Sequence, residues 1–491
     1  MTLSKLLSSL DPCGIFPDCE ITALTDRPSA ATTGTLCVCI RGARANGHDF
    51  AMQAYENGCR AFVVSEPIAL PSDAFVYTVP DTRVSLAKLA CAFYENPSRQ
   101  LRVIGITGTK GKTTVASLLS QTLTSAGIPC GYIGTNGVRF GDLTRSLSNT
   151  TPDPLTLQSL MREMVDHGIR ALALEVSSQA IYQHRTDGIE FEATVFTNLY
   201  SDHVGPTEHP SFAHYKKCKH RLFTDYPSRI SVFNADDPYT KDMKRGSAAE
   251  RKITYSIAGK RADYAAENVL PTLAKNGYGV SFFIEGREIL LPLLGKFNAA
   301  NALAVLAVAR ECFGLSTATV ASTLSNVSVT GRTETIPLVG GACAVIDYAH
   351  NGESLFKLLS ALREYKPTHL ICLFGSVGER SHLRRREMGD AAEALCDLAI
   401  LTSDNPGRED PMAIIEDIAA SFVHTPYLAI PDRAQAIQTA VRLVQAGDIL
   451  VLAGKGHEDY QLIGTERLPF SDREILLQTL KKETASCQFR S

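Results

Sequence analysis

The sequence predicts an α/β protein of three domains built on parallel sheets. Short apolar strands alternate with helical stretches along the whole chain, and glycine-bearing or polar loops follow many of the strands. At 491 residues the chain is too long for one ordinary hydrophobic core, and its length suggests about three domains. Breaker residues near 95–98 and 329–331 give domains at 1–98, 99–330 and 331–491.

Composition narrows the class of protein. A hydrophobic content of 44% and a charged content of 21% are typical of a globular protein, and a net charge of −3 does not indicate a nucleic-acid partner. We find no apolar run long enough to span a bilayer and no secretory signal, so we expect no membrane insertion and a cytoplasmic location. Thirteen cysteines without a C-x-x-C pair indicate reduced core cysteines rather than structural zinc.

In the first domain, residues 35–40 and 60–65 have the pattern of strands, with a helix at about 50–58 between them. The second domain opens with an apolar strand at 103–106. Residues 107–114 follow, and they read Thr-Gly-Thr-Lys-Gly-Lys-Thr-Thr before an amphipathic helix that ends at Gly127.

A glycine-rich loop between a strand and a helix can surround phosphate oxygens with backbone N–H groups. Lys112 would reach the β- and γ-phosphates, and the Thr113 hydroxyl would bind Mg²⁺. Ile106 occupies the first glycine position of the usual pattern, and an ordinary strand–turn–helix junction is the alternative. We take an ATP- or GTP-dependent protein as the starting hypothesis.

Polar clusters follow later strands of the second domain, at 171–174, 193–196 and 230–233. Glu175 could bind Mg²⁺, although a capped helix start explains its neighbourhood equally well. His203 could be a metal ligand or an ordinary loop histidine, and the basic stretch 214–223 could be a solvated helix face. Asn298 opens a helix, and its amide could contact an adenine edge.

In the third domain, strands at 370–374, 398–401 and 449–453 each run into a loop that bears glycine or proline. Ligands of open parallel sheets lie at the carboxyl ends of the strands, so these loops are candidate walls of a site. Asp347 ends the first strand of this domain.

Six segments form a pattern along the chain, and they are 107–114, Asn149-Thr150-Thr151-Pro152, Glu175-Val176-Ser177-Ser178 with Gln183-His184-Arg185, Asp347-Tyr348-Ala349-His350, Asp404-Asn405-Pro406 and Ala453-Gly454-Lys455-Gly456-His457-Glu458. Taken in this order, they resemble the Mur ligase superfamily over essentially the whole chain. The pattern is most similar to the members that add the third peptide residue to UDP-N-acetylmuramoyl-L-alanyl-D-glutamate.

The resemblance implies a UDP-binding domain, a central ATPase domain and a C-terminal Rossmann-like domain. It also implies a bacterial enzyme of peptidoglycan precursor synthesis, a monomer that uses ATP and two Mg²⁺ ions and makes an amide bond through an acyl phosphate. Its partners would be small-molecule substrates only.

By the same resemblance, residues are assigned to five groups. Lys112, His203 and Lys219 would be catalytic. The metal ligands would be Thr113, Glu175, His203 and Lys219, the last as a carbamate (N6-carboxylysine). ATP would contact Gly108, Thr109, Lys110, Gly111, Lys112, Thr113, Thr114, Asn298, Arg332 and Asp347. The UDP-muramoyl-dipeptide would contact Leu24, Asp26, Asn149, Thr150, Thr151, Ser177, Gln183 and Arg185. The incoming amino acid would contact Arg380, Asp404, Asn405, Pro406, Gly407, Gly454 and Glu458.

The sequence departs from the family pattern in two places that matter. Thr25-Asp26-Arg27 replaces the usual Asp-Ser-Arg of the uridine region. Members that add meso-diaminopimelate typically read Asp-Asn-Pro-Arg, whereas Gly407 takes the fourth position here and Arg408 is displaced by one residue. Glu379, Glu409 and Asp410 could favour an ammonium, so we prefer L-lysine as the added residue, with meso-diaminopimelate second.

Two rival functions remain open at this stage. A folylpolyglutamate-type ligase is the nearest, and Asn149-Thr150-Thr151 together with the N-terminal domain speaks against it. A non-catalytic paralogue that binds nucleotide is the other. Retention of the metal-ligand and catalytic positions named above speaks against loss of activity.

Overall fold

Alternating apolar stretches form sheets in both of the units into which the chain divides. The computed structural model describes residues 1–42, 45–201, 205, 209–274, 277–329, 331, 333–379 and 381–488. Unit 1 comprises 1–255, 261–263 and 304–315, and unit 2 comprises 256–260, 264–303 and 316–491. The α/β fold class is confirmed, and the domain boundaries at 98 and 330 stay predictions.

The N-terminal part of unit 1 is a four-stranded parallel sheet in the order β1-β2-β3-β4. Its strands are β1 Ala23–Thr25, β2 Thr35–Val38, β3 Ala61–Val64 and β4 Phe75–Thr78, and its helices are α1 Leu3–Leu7, α2 Ala51–Glu56 and α3 Thr82–Phe93. The strands and the helix predicted between 35 and 65 are therefore confirmed, each somewhat shorter than expected. Apolar side chains pack on both faces of the sheet.

The central part of unit 1 is built on a second, larger sheet. Its strands are β5 Arg102–Thr107, β6 Cys130–Gly134, β7 Gly137–Phe140, β8 Leu143–Arg145, β9 Ala171–Glu175, β10 Phe191–Phe196, β11 Ser228–Asn234 and β12 Arg251–Ser256. Its helices are α4 Lys112–Ser125, α5 Pro154–Asp166, α6 Ser178–Tyr182, α7 Phe212–Thr224 and α8 Thr240–Lys244.

Strand order in this sheet decides which loops meet. The order is β12-β11-β10-β5-β9-β6-β7-β8, parallel from β12 to β6, with β7 and β8 added antiparallel. Strand β5, which feeds the phosphate loop, therefore lies between β9 and β10. Because parallel strands end at the same edge, the segments after Thr107, Glu175 and Phe196 are neighbours.

Unit 2 contains a short strand, β13 Tyr264–Ala265, and an antiparallel sheet of β14 Glu267–Ala274, β15 Gly277–Ile284 and β16 Arg287–Leu291. Helix α9 Lys296–Phe313 contributes residues to both units, and α10 Thr317–Leu324 belongs to unit 2. The three-stranded antiparallel sheet is absent from the sequence-based description.

The main sheet of unit 2 has the order β17-β18-β22-β19-β20-β21. Its strands are β17 Glu334–Pro337, β18 Cys343–Asp347, β19 Leu370–Phe374, β20 Leu398–Leu401, β21 Tyr427–Ala429 and β22 Ile449–Ala453, and a hairpin of β23 Tyr460–Ile463 and β24 Glu466–Pro469 follows. Its helices are α11 Gly352–Arg363, α12 His382–Leu395, α13 Pro411–Ala419, α14 Arg433–Leu443 and α15 Asp472–Gln488.

All neighbours in this sheet are parallel except β17 and β18. The predicted strands β19, β20 and β22 have the expected bounds. The expectation that Asp347 ends the first strand of the region is wrong, because the antiparallel edge strand β17 precedes β18. Apolar side chains from the helices fill both faces of the sheet.

The cysteines agree with the expectation of reduced core residues. Ten described cysteines are buried, Cys13 and Cys19 are exposed, and all twelve are free thiols. Among the residues that the structure describes, no helix is long and apolar enough to cross a membrane.

A buried ion pair links α14 to α15 beneath the main sheet of unit 2. Arg433 donates to both carboxylate oxygens of Asp472, at 2.8 and 2.7 Å, and neither side chain is exposed. Arg433 also donates to the carbonyl of Ala453, the last residue of β22, at 3.0 Å. Burial by itself lowers the pKa of Arg433, but Asp472 outweighs it and the pKa is raised.

We expect Asp472→Asn to lower the free energy of unfolding by roughly 3–5 kcal/mol, because it leaves a buried guanidinium without its countercharge. Urea unfolding followed by far-UV circular dichroism measures this. The matched control is Glu483→Gln, which breaks the exposed Arg442–Glu483 pair and should cost less than about 1 kcal/mol. Equal losses in the two variants would contradict the assignment.

Candidate functional site

The phosphate loop joins β5 to α4, as its sequence predicts. Gly108 has φ +154°, and a Cβ there would lie 1.9 Å from Thr197 Oγ1 and 3.1 Å from the backbone of Asn198. No side chain fits in that space, so glycine is required by close approach of a neighbouring segment. Helix α4 begins at Lys112, which leaves its first backbone N–H groups at the loop.

Two lysine side chains donate hydrogen bonds to backbone carbonyl oxygens of the phosphate loop. Lys112 Nζ donates to the carbonyl oxygens of Gly108 at 2.8 Å and Thr109 at 3.0 Å. Lys219, which is 1% exposed and comes from α7, donates to the same Gly108 oxygen at 2.8 Å. The amine of Lys219 also lies 4.6 Å from the centre of the Tyr215 ring. The structure thus brings two predicted catalytic residues together on one carbonyl.

Glu175 lies at the end of β9 beside the loop, as predicted, and is fully buried. Its Oε2 accepts from Thr113 Oγ1 at 3.0 Å, and its Oε1 accepts from the Tyr132 hydroxyl at 2.7 Å and the Thr135 backbone N–H at 3.0 Å. Burial and this carboxylate raise the pKa of Tyr132 well above its ordinary value. The donors around Glu175 are all neutral, which suits a carboxylate that binds a cation.

Sequence reasoning missed the segment that fixes the loop. Asn198, just after β10, accepts from the Thr109 and Lys110 backbone N–H groups at 2.9 Å each and donates from Nδ2 to the Lys110 carbonyl at 3.1 Å. Thr197 Oγ1 donates to the same carbonyl at 2.6 Å. A signal exists, because Thr197 and Asn198 are polar residues at the carboxyl end of a strand.

The residues predicted to contact the dipeptide form a second group at this edge. Thr151 is fully buried; its hydroxyl donates to the Glu175 carbonyl at 2.7 Å and accepts from the Ser177 backbone N–H at 3.1 Å. Arg185 donates to the Thr151 carbonyl at 2.7 Å and to Gln183 Oε1 at 2.7 Å from its two terminal nitrogens.

Two further members of this predicted set lie nearby. Thr150 Oγ1 lies 3.1 Å from Thr135 Oγ1, and Thr135 contacts Glu175. Ser177 caps α6 by accepting from the Ala180 backbone N–H at 3.1 Å, so the capped helix start is confirmed and the binding role of Glu175-Val176-Ser177-Ser178 stays a prediction. Asn149 Nδ2 donates to Ser148 Oγ at 3.4 Å.

The uridine-region residues lie on the N-terminal sheet. Leu24 is in β1 and packs against the apolar core, and Asp26 follows the strand. Burial raises the pKa of Asp26, and the charge of Asp153 raises it further. Burial lowers the pKa of Arg185, and the charge of the same Asp153 acts against that lowering. The charge of Asp153 therefore acts on both Asp26 and Arg185.

The other predicted nucleotide contacts lie in unit 2. Asn298 is buried at the start of α9, where its Nδ2 donates to the Leu294 carbonyl at 2.7 Å and lies 3.4 Å from Thr333 Oγ1. Asp347 Oδ2 accepts from the Thr333 backbone N–H at 2.8 Å. Asn298 and Asp347 thus meet through Thr333.

The predicted amino-acid residues gather at the carboxyl edge of the unit 2 sheet. Asn405 Nδ2 donates to Glu458 Oε2 at 3.0 Å, and Gly454 approaches Asp404 so closely that a Cβ would lie 2.8 Å from Oδ2. Lys455, which sequence reasoning did not assign to the site, is fully buried and donates to Asn405 Oδ1 at 3.1 Å and Glu458 Oε2 at 3.0 Å.

Asp404 is the least satisfied carboxylate of this edge. Its Oδ1 accepts no hydrogen bond from the described residues, although Lys455 Nζ is 3.6 Å away. Burial raises its pKa, and Arg433 and Lys455 act against that rise. Glu458 Oε1 accepts from the Tyr348 hydroxyl at 3.3 Å.

The loop after Asn405 changes the argument about the added residue. Glu409 accepts from the Glu379 backbone N–H at 2.7 Å and pairs with buried Arg385, and Asp410 caps α13. Two of the three acidic residues that suggest an ammonium are therefore engaged elsewhere. Pro406 is buried, and Gly407 has φ +59°, a conformation in which an arginine side chain would be strained.

Three predicted residues, His203, Arg332 and Arg380, lie outside the described residues.

Comparison with known proteins identifies related domains along most of the chain. The model of the Mur ligase middle domain matches residues 106–309, and that of the Mur ligase glutamate ligase domain matches 331–456. A UDP-N-acetylmuramoyl-L-alanyl-D-glutamate–2,6-diaminopimelate ligase from Geobacillus thermodenitrificans is 37% identical over 98% of this chain and 100% of its own. The protein of the same name from Chlorobaculum tepidum is 40% identical over 93% of this chain and 92% of its own.

Structural similarity points the same way. The structure of a UDP-N-acetylmuramoyl-L-alanyl-D-glutamate–2,6-diaminopimelate ligase matches with a TM-score of 0.73 and 27% identity, covering 99% of this chain and all of that one. These relatives are named for diaminopimelate. They favour the second of the two residues considered over lysine, whose support was the glycine at 407 in place of an arginine together with the acidic residues nearby.

Gly108→Ala should abolish binding of a fluorescent ATP analogue, because the added methyl group would displace Thr197 and Asn198 from the loop. Titration of the analogue measures the loss. Gly127→Ala is the matched control, since Gly127 also has a positive φ of +83° but has open space around its Cβ position. It should cost about 1 kcal/mol of stability and leave the affinity unchanged. Equal affinity in both variants would contradict a loop set by close packing.

Proposed function

Because the chain belongs to the Mur ligase family, we propose that it joins 2,6-diaminopimelate to the D-glutamate of UDP-N-acetylmuramoyl-L-alanyl-D-glutamate. Family membership makes it an ATP-dependent ligase that forms an amide bond in peptidoglycan precursor synthesis. The observation that supports a working active site is the convergence of Lys112, Lys219 and Glu175 on one phosphate loop.

The reaction has two chemical steps. The glutamate carboxylate attacks the γ-phosphorus of ATP, so that an acyl phosphate forms and ADP leaves. The amine of the incoming residue then attacks the acyl carbon, phosphate departs, and the amine loses a proton. Lys112 holds the phosphates of ATP together with the backbone of 108–111, and its charge offsets the negative charge that develops during phosphoryl transfer.

The residues around Glu175 fit Mg²⁺. A buried carboxylate whose donors are neutral, next to a threonine hydroxyl, offers the hard oxygen ligands that Mg²⁺ prefers. Thr113 and Glu175 would hold the ion, with His203 and a carbamylated Lys219 as ligands of a second one. Bound Mg²⁺ would neutralise phosphate charge and help to orient the transferred group.

Repulsion between two neighbouring ammonium groups would favour carbamylation of Lys219. Lys219 and Lys112 donate to one carbonyl oxygen, so two ammonium groups lie close together inside the protein. When the Lys219 ammonium loses a proton, the neutral amine can add CO₂ with loss of a second proton, and the resulting carbamate replaces one of these cations with an anion and removes the repulsion. The anion can then bind a metal ion, which the ammonium form cannot.

The muramoyl-dipeptide and diaminopimelate both carry carboxylates, and each carboxylate needs a cationic partner in the protein. Arg185, held by Thr151 and Gln183, is suited to bind the muramoyl-dipeptide, with Asp26 and Leu24 on its uridine side. At the edge of the unit 2 sheet, Asp404, Asn405 and Glu458 supply acceptors for the ammonium groups of diaminopimelate. Arg380 and Arg408 are the candidates for its distal carboxylate, and Asn298, Arg332 and Asp347 for the nucleoside of ATP.

The substrates indicate where the protein acts. UDP-sugar peptides and ATP are cytoplasmic metabolites, so we infer a cytoplasmic site of action.

A folylpolyglutamate-type ligase is less well supported, because the relatives that span nearly the whole chain are named for the muramoyl-dipeptide substrate. The three-domain division at 98 and 330 remains part of this proposal.

We expect the product with diaminopimelate to form fastest when protein, ATP, Mg²⁺ and UDP-N-acetylmuramoyl-L-alanyl-D-glutamate are incubated separately with diaminopimelate, lysine and ornithine. Mass spectrometry identifies the product, and phosphate release gives the rate. Faster addition of lysine would overturn the choice of amino acid and leave the ligase assignment standing. No phosphate release with any diamino acid would favour a non-catalytic nucleotide-binding protein.

Lys219→Ala should lose nearly all ligase activity and regain part of it in acetate or formate, because a small carboxylate can take the place of the carbamate. Methylamine, which replaces only an ammonium, should not restore activity. Rates of phosphate release across a concentration series of each additive measure the rescue. Rescue by methylamine alone would show that Lys219 acts as a cation.

A further inference from the structure

Unit 1 contains a second group of side chains able to hold a metal ion, on helix α7 and on the segment before it. His209, His214 and Cys218 each present one ligand atom, and these three atoms all lie within 4.8 Å of one another. His209 Nδ1 is 2.9 Å from His214 Nδ1, and Cys218 Sγ is 3.7 Å from the same His214 nitrogen. Neither the relatives' names nor the proposed reaction assigns a role to this group.

Helix geometry explains why the three side chains converge. His214 and Cys218 are four residues apart on α7, so they lie on the same face of the helix. The helix begins after Ser211, whose hydroxyl accepts from the His214 backbone N–H at 3.2 Å. His209 precedes this cap and turns back onto the same face. The cap thereby fixes the position of both histidines relative to Cys218.

The distances suit a tetrahedral ion with nitrogen and sulfur ligands. Zn²⁺ binds histidine nitrogen at about 2.0–2.1 Å and cysteine sulfur at about 2.3 Å, which separates such ligands by about 3.3–3.6 Å. The observed separations of 2.9 and 3.7 Å need adjustments of a few tenths of an ångström, and the third pair, from His209 to Cys218, lies within 4.8 Å and would shorten by up to about 1.3 Å. Three protein ligands leave the fourth position for water.

Neighbouring groups already orient the histidines as ligands. His209 is fully buried, and its second ring nitrogen, Nε2, lies 2.8 Å from Ser178 Oγ. A hydrogen bond from Nε2–H to an oxygen leaves the Nδ1 lone pair for a metal, as in most histidine metal sites. The Tyr182 ring packs edge-on against His214 with centroids 4.9 Å apart, which restricts rotation of that imidazole.

We propose that His209, His214 and Cys218 form a binding site for a divalent transition metal of the Zn²⁺ class. The Cys218 thiol loses its proton on binding, and the thiolate cancels one charge of the ion. A thiolate and two imidazoles exclude Mg²⁺, which prefers oxygen ligands. The ion would tie the segment before α7 to the helix that carries Lys219. The inference rests on these three side chains and not on the ligase reaction.

Co²⁺ tests the site, because a cobalt–thiolate bond gives a charge-transfer band in the near ultraviolet that oxygen and nitrogen ligands do not give. We expect the full chain, freed of metal with a chelator, to develop this band with one equivalent of Co²⁺. Added Zn²⁺ should remove the band, and excess Mg²⁺ should not.

Single substitutions show which residues give rise to the cobalt–thiolate band. Cys218→Ser should abolish it, and His214→Gln, at a partly exposed position, should weaken Co²⁺ binding about tenfold or more. Cys13→Ser, at an exposed cysteine, is the matched control and should leave band and affinity unchanged. Circular dichroism melting verifies that each variant is folded.

Absence of the band in the unmodified chain, or its persistence in Cys218→Ser, would overturn the proposal. Unchanged affinity in His214→Gln would do so independently. Ligase activity is not part of the readout, so failure of this site and failure of the proposed function can be told apart.

Discussion

The arrangement of the phosphate loop in unit 1 depends on the carbonyl oxygen of Gly108. It accepts hydrogen bonds from both Lys112 and Lys219, so the phosphate loop is joined to α4 and α7 at one atom. Thr197 and Asn198 hold the loop from the opposite side, through the backbone of Lys110. The neighbouring parallel strands β5 and β10 bring the loop and the Thr197–Asn198 segment to one edge, and a change in strand order would separate them.

Much of this architecture could be predicted from the sequence, because it depends on local signals. Apolar runs give strands β19, β20 and β22 their bounds, and the glycine-lysine-threonine sequence gives the loop before α4. The antiparallel sheet of β14, β15 and β16 was not predicted, since its strands lack a clear alternation. Likewise, nothing local marks Tyr132 as a site residue, because its contact with Glu175 joins residues 43 positions apart. Lys455 contacts Asn405 from 50 positions away, which its local sequence does not indicate either.

The preference for lysine over diaminopimelate has the same origin. A run of acidic residues around Gly407 looks in sequence like a set of free carboxylates that would attract an ammonium. In the structure Arg385, which is almost fully buried, pairs with both Glu409 and Asp417, and Asp410 is occupied as a helix cap. A charge that already neutralises a buried guanidinium contributes little attraction to a substrate, so the number of nearby acidic residues is a poor guide to specificity.

If the chain adds diaminopimelate, as proposed, its site must distinguish this amino acid from lysine. The two differ by a distal carboxylate, and recognition of a carboxylate in a partly desolvated site requires a cation that no internal acid already neutralises. Arg385 does not qualify, because Glu409 and Asp417 occupy its terminal nitrogens, and Arg433 does not, because Asp472 accepts from it with both oxygens. Arg408, exposed and directly after the glycine that replaces the usual arginine, meets the requirement better than either buried residue. Selectivity for diaminopimelate over lysine would then come from Arg408, which lies one residue after the usual arginine position. The positive φ of Gly407 sets the direction of the loop that carries it.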